Sequence, residues 1–232
     1  MTFTVSDMKA FNALVTASNN LNPEIVFHVE AGKLSVKTWA VHTASGLAFS
    51  IPIEGATTTD VFAVKTEDFL KAIKSIGDKA TFHSDGSRLS ITSGKKTHRL
   101  VIYDEENVKE LPKLIPPGKV AFTFSPKEFA DAIREATTYS NTLRFRAEEK
   151  TLTIKSVESG IQNDVEISLD INSDGRARCH YNGSFFSDIA GLAKLFDAAQ
   201  LSFSDLYPFV VHYEQDGIIA DFFVAHLVVD YD

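Results

Sequence analysis

With one cysteine, Cys179, in 232 residues, the chain can form no internal disulfide and cannot assemble a thiolate zinc site, which fits a reducing compartment. No apolar run approaches the roughly 20 residues that a helix needs to cross a bilayer. The opening Met1-Thr2-Phe3-Thr4-Val5-Ser6-Asp7 has neither the basic start nor the apolar core of a signal peptide, so a soluble protein that stays inside the cell is expected. The twelve glycines are scattered and none opens a G-x-G-x-x-G or G-x-x-x-x-G-K-[ST] string, so nucleotide hydrolysis has no phosphate-cradling loop to rest on. Seven histidines include no H-E-x-x-H pair, and there is no G-x-S-x-G nucleophile elbow. Cys179 falls in an alternating segment, away from any helix start that would favour a thiolate, and reads as a half-buried packing residue. Carboxylate pairs occur as in any acidic chain. The reading is therefore of a protein with no catalytic site, no metal and no cofactor.

Positive charge is also scarce. Lys and Arg number 23 against 31 Asp and Glu, a net charge of −8, so no uniformly basic surface exists to grip nucleic acid. Any such contact must be local, made by a few phosphate-facing cations, with the acidic remainder repelling DNA elsewhere. What the chain does have is the composition of a folded protein, 44% hydrophobic and 23% charged with no low-complexity tract, long enough for one large domain or two smaller ones.

It also has an internal repeat. Phe3-Thr4-Val5-Ser6 leads into Met8, Phe11 and Val15, and Phe122-Thr123-Phe124-Ser125 leads into Phe129, Ile133 and Ala136. Between them, Phe62-Ala63-Val64-Lys65 leads into Phe69, Ile73 and Ile76, while His180-Tyr181-Asn182 leads into Phe186, Ile189, Ala193 and Phe196. With Val5, Val64, Phe124 and Tyr181 as equivalents the steps are 59, 60 and 57 residues, so each half is itself a duplication. Within each unit the apolar period changes from two to about 3.6 and back, which predicts β-α-β-β-β. The class is α+β: two similar domains over 1–103 and 119–232, joined by a linker over 104–118 that ends Leu111-Pro112-Lys113-Leu114-Ile115-Pro116-Pro117-Gly118. Helices are expected over 7–18, 67–76, 126–138 and 185–196, capped by Ser6, Thr66, Ser125 and Ser184, with Pro126 in a first turn. Alternating segments such as 24–30, 33–38, 79–84, 88–93 and 151–156 read as hairpin strands around Ala31-Gly32, Asp85-Gly86 and similar turns.

The helices pack apolar stripes inward and present Lys9, Lys71, Lys74, Lys127, Arg134 and Lys194 on their other faces. Any one of these can simply solvate a helix. Their presence on all four helices makes a shared phosphate contact an equal alternative. Asp7, Glu67, Asp68 and Glu128 lie in first turns, where the helix dipole favours negative charge.

The closing segment Leu201-Ser202-Phe203-Ser204-Asp205-Leu206-Tyr207-Pro208-Phe209-Val210-Val211-His212-Tyr213, then an acidic turn, then Asp221-Phe222-Phe223-Val224-Ala225, is similar to the closing hairpin of the DNA sliding-clamp family that includes proliferating cell nuclear antigen (PCNA). The resemblance extends over the whole chain: the duplicated domains, the mid-chain linker and the Leu-Pro near its end. It implies a non-enzymatic processivity factor, a head-to-tail ring of usually three subunits around duplex DNA, with the six helix cations facing the duplex. It also implies a linker-side pocket for short motifs of DNA polymerase, nucleases, ligases and the clamp loader, walled by His42, Leu111, Leu114, Pro208, Phe223 and Ala225. Two positions depart from the family pattern: His226 stands where a proline follows the final alanine, and Thr38 where the pocket has methionine or leucine. Ring joints are implied between strands over 97–103 and 164–171, with Arg99, Leu100 and Ile102 on one side and Glu166, Ile167 and Leu169 on the other. Two alternatives remain open: a checkpoint-type, phage-type or heteromeric clamp subunit, and a two-domain α+β enzyme with an unrecognised carboxylate site.

Overall fold

The computed structural model describes residues 1–40, 45–103, 117–157 and 164–228, and in them the β-α-β-β-β order occurs four times. The first repeat is β1 (Thr2–Val5), α1 (Met8–Leu21), β2 (Glu24–Glu30), β3 (Lys33–Trp39) and β4 (Ser45–Pro52); the second is β5 (Asp60–Lys65), α2 (Thr66–Lys74), β6 (Ala80–Ser84), β7 (Arg88–Ser93) and β8 (Lys96–Val101). The third is β9 (Val120–Phe124), α3 (Pro126–Ala136), β10 (Thr142–Glu148), β11 (Thr151–Ser156) and β12 (Glu166–Asp170). The fourth is β13 (Ala177–Asn182), a 3₁₀ turn (Gly183–Phe186), α4 (Ser187–Leu192), β14 (Ala199–Phe203), β15 (Phe209–Gln215) and β16 (Ile218–Val224).

The chain divides into two compact units, Met1–Val41 with Gly46–Pro112 and Asp216–Ala220, and His42–Ser45 with Lys113–Gln215 and Asp221–Asp232. In the first unit, antiparallel strands pair in the orders β1-β6-β7-β8 and β5-β2-β3-β4, and α1 lies beside α2. Alternation sends one face of most strands inward, while β2 and β5 each bury three consecutive residues, and the enclosed core is aromatic: Phe11 meets Phe69 and Phe82 edge-on at 5.9 Å each, and Phe3 stacks on Phe82 at 4.9 Å. Trp39 ends β3 as a packing anchor. Its ring lies so close to Gly46 that a Cβ there would come within 2.5 Å of it, so β4 tolerates only glycine at that point.

In the second unit the orders are β12-β11-β10-β13 and β9-β14-β15-β16, and α3 packs against α4. Phe145 stacks on Phe186 at 5.5 Å and Phe129 on Phe209 at 5.6 Å, while the Tyr181 hydroxyl, whose ionisation burial pushes upward, donates to the Tyr207 carbonyl at 2.8 Å. Cys179 is fully buried in β13, not half-buried, because its position in the alternation faces this core.

Helix ends differ in places from the sequence expectation. Asp7, not Ser6, caps α1: its Oδ1 accepts from the Ala10 amide at 2.9 Å, while Ser6 Oγ donates to Glu54 at 3.1 Å. Ser125 caps α3 as expected, with Pro126 in the first turn. Thr66 is the first residue of α2 and sends its hydroxyl to the Asn22 carbonyl at 3.0 Å, so that helix has no side-chain cap. The fourth helix is shorter than 185–196. It begins with the 3₁₀ turn and ends at Leu192, since Gly191 disfavours continuation by about 1 kcal/mol and the Leu195 amide closes back on the Leu192 carbonyl at 2.9 Å.

Candidate functional site

Lys9, Lys71, Lys74, Lys127 and Arg134 project from α1, α2 and α3 and are exposed. Lys194 is exposed too, but it stands in the turn after α4, because that helix has already ended. Lys71 Nζ lies 2.7 Å from Glu67 and 4.0 Å from Asp68; Lys127 and Arg134 share Asp131 at 2.9 and 2.8 Å. Hydrogen bonding to these carboxylates lifts Lys71 and Lys127 above the usual lysine range and holds Glu67 and Asp131 below the usual carboxylate range. The outer faces of α2 and α3 are thus charge-balanced rather than basic. Such helix pairs are worth only about 0.2–0.5 kcal/mol, so each cation can leave its carboxylate for a phosphate at little cost. Lys9 and Lys74 have no ion pair among the described residues.

Two strands offer open edges. β8 is last in β1-β6-β7-β8, and β12 is last in β12-β11-β10-β13. The Ile102 amide bonds the Ser87 carbonyl at 3.0 Å and the Ile171 amide the Lys150 carbonyl at 2.7 Å. Hydrogen-bonded pairs alternate along an antiparallel ladder, so the backbone groups of Thr97, Arg99 and Val101 on β8, and of Glu166, Ser168 and Asp170 on β12, point to the free side. Leu100, Ile102, Ile167 and Leu169 are half-buried, while Arg99, Glu166 and the 59%-exposed Val101 face outward. Glu166 already has a partner: Lys155, opposite it on β11, lies 3.7 Å away and also contacts Asp164.

A groove of about 330 Å³ lies on the outer face of β14, β15 and β16. Phe209, Val211 and Tyr213 of β15 are buried in the core, so alternation turns Val210, His212 and Glu214 outward. Pro117, Ala121, Leu201, Val210 and Phe223 give the groove its apolar lining; Gln200, Ser202, His212 and Asp221 give its polar one. His212 Nδ1 lies 2.7 Å from Asp221 Oδ1, and Nε2 lies 3.7 Å from Glu214. Of the residues expected in a pocket, Phe223 lines this groove, while Pro208 and Ala225 are half-exposed and do not. His42, Leu111 and Leu114 lie outside the described residues.

No family model matches the chain. It is 29% identical to DNA polymerase sliding clamp 3 of Aeropyrum pernix over 60% of this chain and 59% of the relative, less than two thirds of that protein's length. It is 26% identical to the DNA polymerase sliding clamp of Thermococcus gammatolerans over 88% of this chain and 89% of the relative. Its fold matches that of A. fulgidus PCNA, solved with the C-terminal region of FEN-1 bound, at a TM-score of 0.83 and 16% identity, covering 100% of each chain. The chain has the fold of the sliding clamps and is similar to them in sequence.

Two positions, His226 and Thr38, depart from the sliding-clamp pattern. His226 bridges Tyr181, and the next amide, of Leu227, bonds the His180 carbonyl at 2.7 Å. Thr38 is buried, with 3% of its surface exposed, on the core-facing side of β3. Sequence reasoning overlooked His212, Asp221 and Gln200. The available signal was the alternation of β15, which turns a histidine and a glutamate to one side of an otherwise apolar strand.

Proposed function

We propose that this chain is a subunit of a DNA sliding clamp, whose copies pair β8 with β12 head to tail and close into a ring around duplex DNA. The observation that carries the reading is the fourfold β-α-β-β-β repeat, matched along its whole length by PCNA and aligned over 88% of the chain with a DNA polymerase sliding clamp. Copies joined by one heterologous contact form a closed ring only when its rotation fits, and three copies are the proposed number. Lys9, Lys71, Lys74, Lys127, Arg134 and Lys194 then meet phosphates without reading bases, which permits sliding. The groove at Phe223 takes short segments of a polymerase, a nuclease, a ligase or a clamp loader by burying apolar anchors, most of the binding energy resting on a few side chains. The chain's own residues hold and release in this scheme. The proposed role asks no bond to be made or broken by them.

Extension of primed circular DNA by a polymerase, with and without a clamp loader, tests the reading. The chain should lengthen products, and replacing Lys9 and Lys74 by Ala should shorten them increasingly as salt rises. Replacing Lys71 and Lys127 should do less, because those cations must first leave a carboxylate. Product lengths that ignore the chain would overturn the proposal, and a Lys9/Lys74 variant that is fully processive at every salt would remove the assignment of the inner face.

A further inference from the structure

The groove on β14–β16 does not end at its apolar part. A second hollow of about 230 Å³ shares Gln200 and His212 with it and runs on to Thr123 and Glu214. One end is therefore apolar, around Phe223 and Val210, and the other carries two carboxylates, Asp221 and Glu214, on either side of His212. No Lys or Arg lines either hollow among the described residues. When His212 is neutral and donates from Nδ1 to Asp221, its Nε2 lone pair and the Glu214 carboxylate, 3.7 Å apart, converge on one point from which both can accept. A cation placed there meets two acceptors and a second carboxylate close behind.

We infer that the groove selects an extended peptide bearing an apolar anchor and, about four residues away, a lysine or arginine held by Glu214, Asp221 and His212. This rests on the proposal that the groove docks partner segments. Val210 and Glu214 are four residues apart on the same face of one strand, roughly 14 Å at about 3.4 Å per residue, and an extended peptide spans that distance in about four of its own residues. The apolar end supplies affinity. The acidic end supplies choice, because a partner with an acidic residue at that place would set like charges against each other.

Selection of a phage-displayed random dodecapeptide library on the full chain tests this, followed by calorimetry of the best peptide. The selected peptides should share an apolar residue and a Lys or Arg three to five positions away. Glu214→Gln and Asp221→Asn, which keep the size of each side chain and remove its charge, should each weaken binding roughly fivefold. Replacing the peptide's cation by Ala should cost a similar factor in the wild type and almost nothing in Glu214→Gln, since the two changes remove one interaction. Peptides that lose binding to Phe223→Ala but share no cation, and ignore both charge substitutions, would overturn this inference and leave the docking groove standing. Peptides whose binding Phe223→Ala does not alter would overturn the docking groove, and the inference with it.

Discussion

The strands β8 and β12 are the same device with opposite signs. Each ends a four-stranded sheet, each keeps its half-buried apolar residues toward a helix, α2 in one case and α3 in the other, and each turns unpaired backbone groups outward. β8 carries Lys96, His98 and Arg99, whereas β12 carries Glu166 and Asp170 beside Asp164. An open edge is a liability, because any other edge can pair with it, and charge is the usual guard. Two copies of β8 repel each other, as do two copies of β12, while β8 and β12 attract. In the proposed ring this difference gives a duplicated repeat its direction: the fold supplies two equivalent edges, and a few side chains favour β8 against β12 over either like pairing.

The largest effect should come from removing the edge itself. The Ser168 amide points to the free side of β12, so Ser168→Pro deletes a ladder donor without touching the bonds to β11. An unmatched ladder group costs roughly 1–3 kcal/mol, so self-association measured by sedimentation should weaken about a hundredfold while circular dichroism stays unchanged. Full association in that variant would exclude β12 as a joint. A smaller effect is expected from charge. Arg99→Glu replaces an attraction of about 0.5–1 kcal/mol by a repulsion of similar size, roughly a tenfold loss of association. Adding Glu166→Arg should restore it only in part, because the new arginine stands beside Lys155. No recovery at all would mean that the two sides do not meet.

Much of this was legible in the sequence and some was not, for physical reasons. The four repeats could be read because Phe3, Phe62, Phe122 and His180 each open a change of period from two to 3.6, and every expected strand–helix–strand order is present. The fourth helix was overestimated because Ile189, Ala193 and Phe196 keep a helical spacing that Gly191 and the turn at Leu195 do not let the backbone follow. Exposure of the helix cations follows from the amphipathic pattern. Their pairing with Glu67 and Asp131 depends on rotamers, which periodicity does not encode. The His212–Asp221 contact joins two strands across a hairpin, so it needed register as well as alternation.

The smallest and sharpest test of the two edges concerns Lys155. Its Nζ holds Asp164 and Glu166, so part of the negative charge of β12 is spent within the chain. The hydrogen bond to Lys155 holds the Asp164 carboxyl below the usual aspartate range, and the same contact lifts Lys155. A carboxyl lowered in this way contributes stability that is present above its unfolded pKa of about 3.9 and is lost as pH falls through the lower folded value. The charge of Asp164 should therefore persist on acidification, and its contribution to association of wild-type chains should hold from pH 7 down to about pH 4.5. Lys155→Met keeps the side-chain stem against the sheet and removes the ammonium. Asp164 and Glu166 then face outward without a partner, so pairing with β8 should tighten about two- to threefold at low salt, and the gain should vanish as salt shortens the screening length toward 3 Å. The acid limb should also move to higher pH, since nothing then holds the Asp164 carboxyl down. A Lys155→Met chain that associates less well at low salt, or whose association ignores salt, would mean that opposite charge is not what sets β8 and β12 against each other.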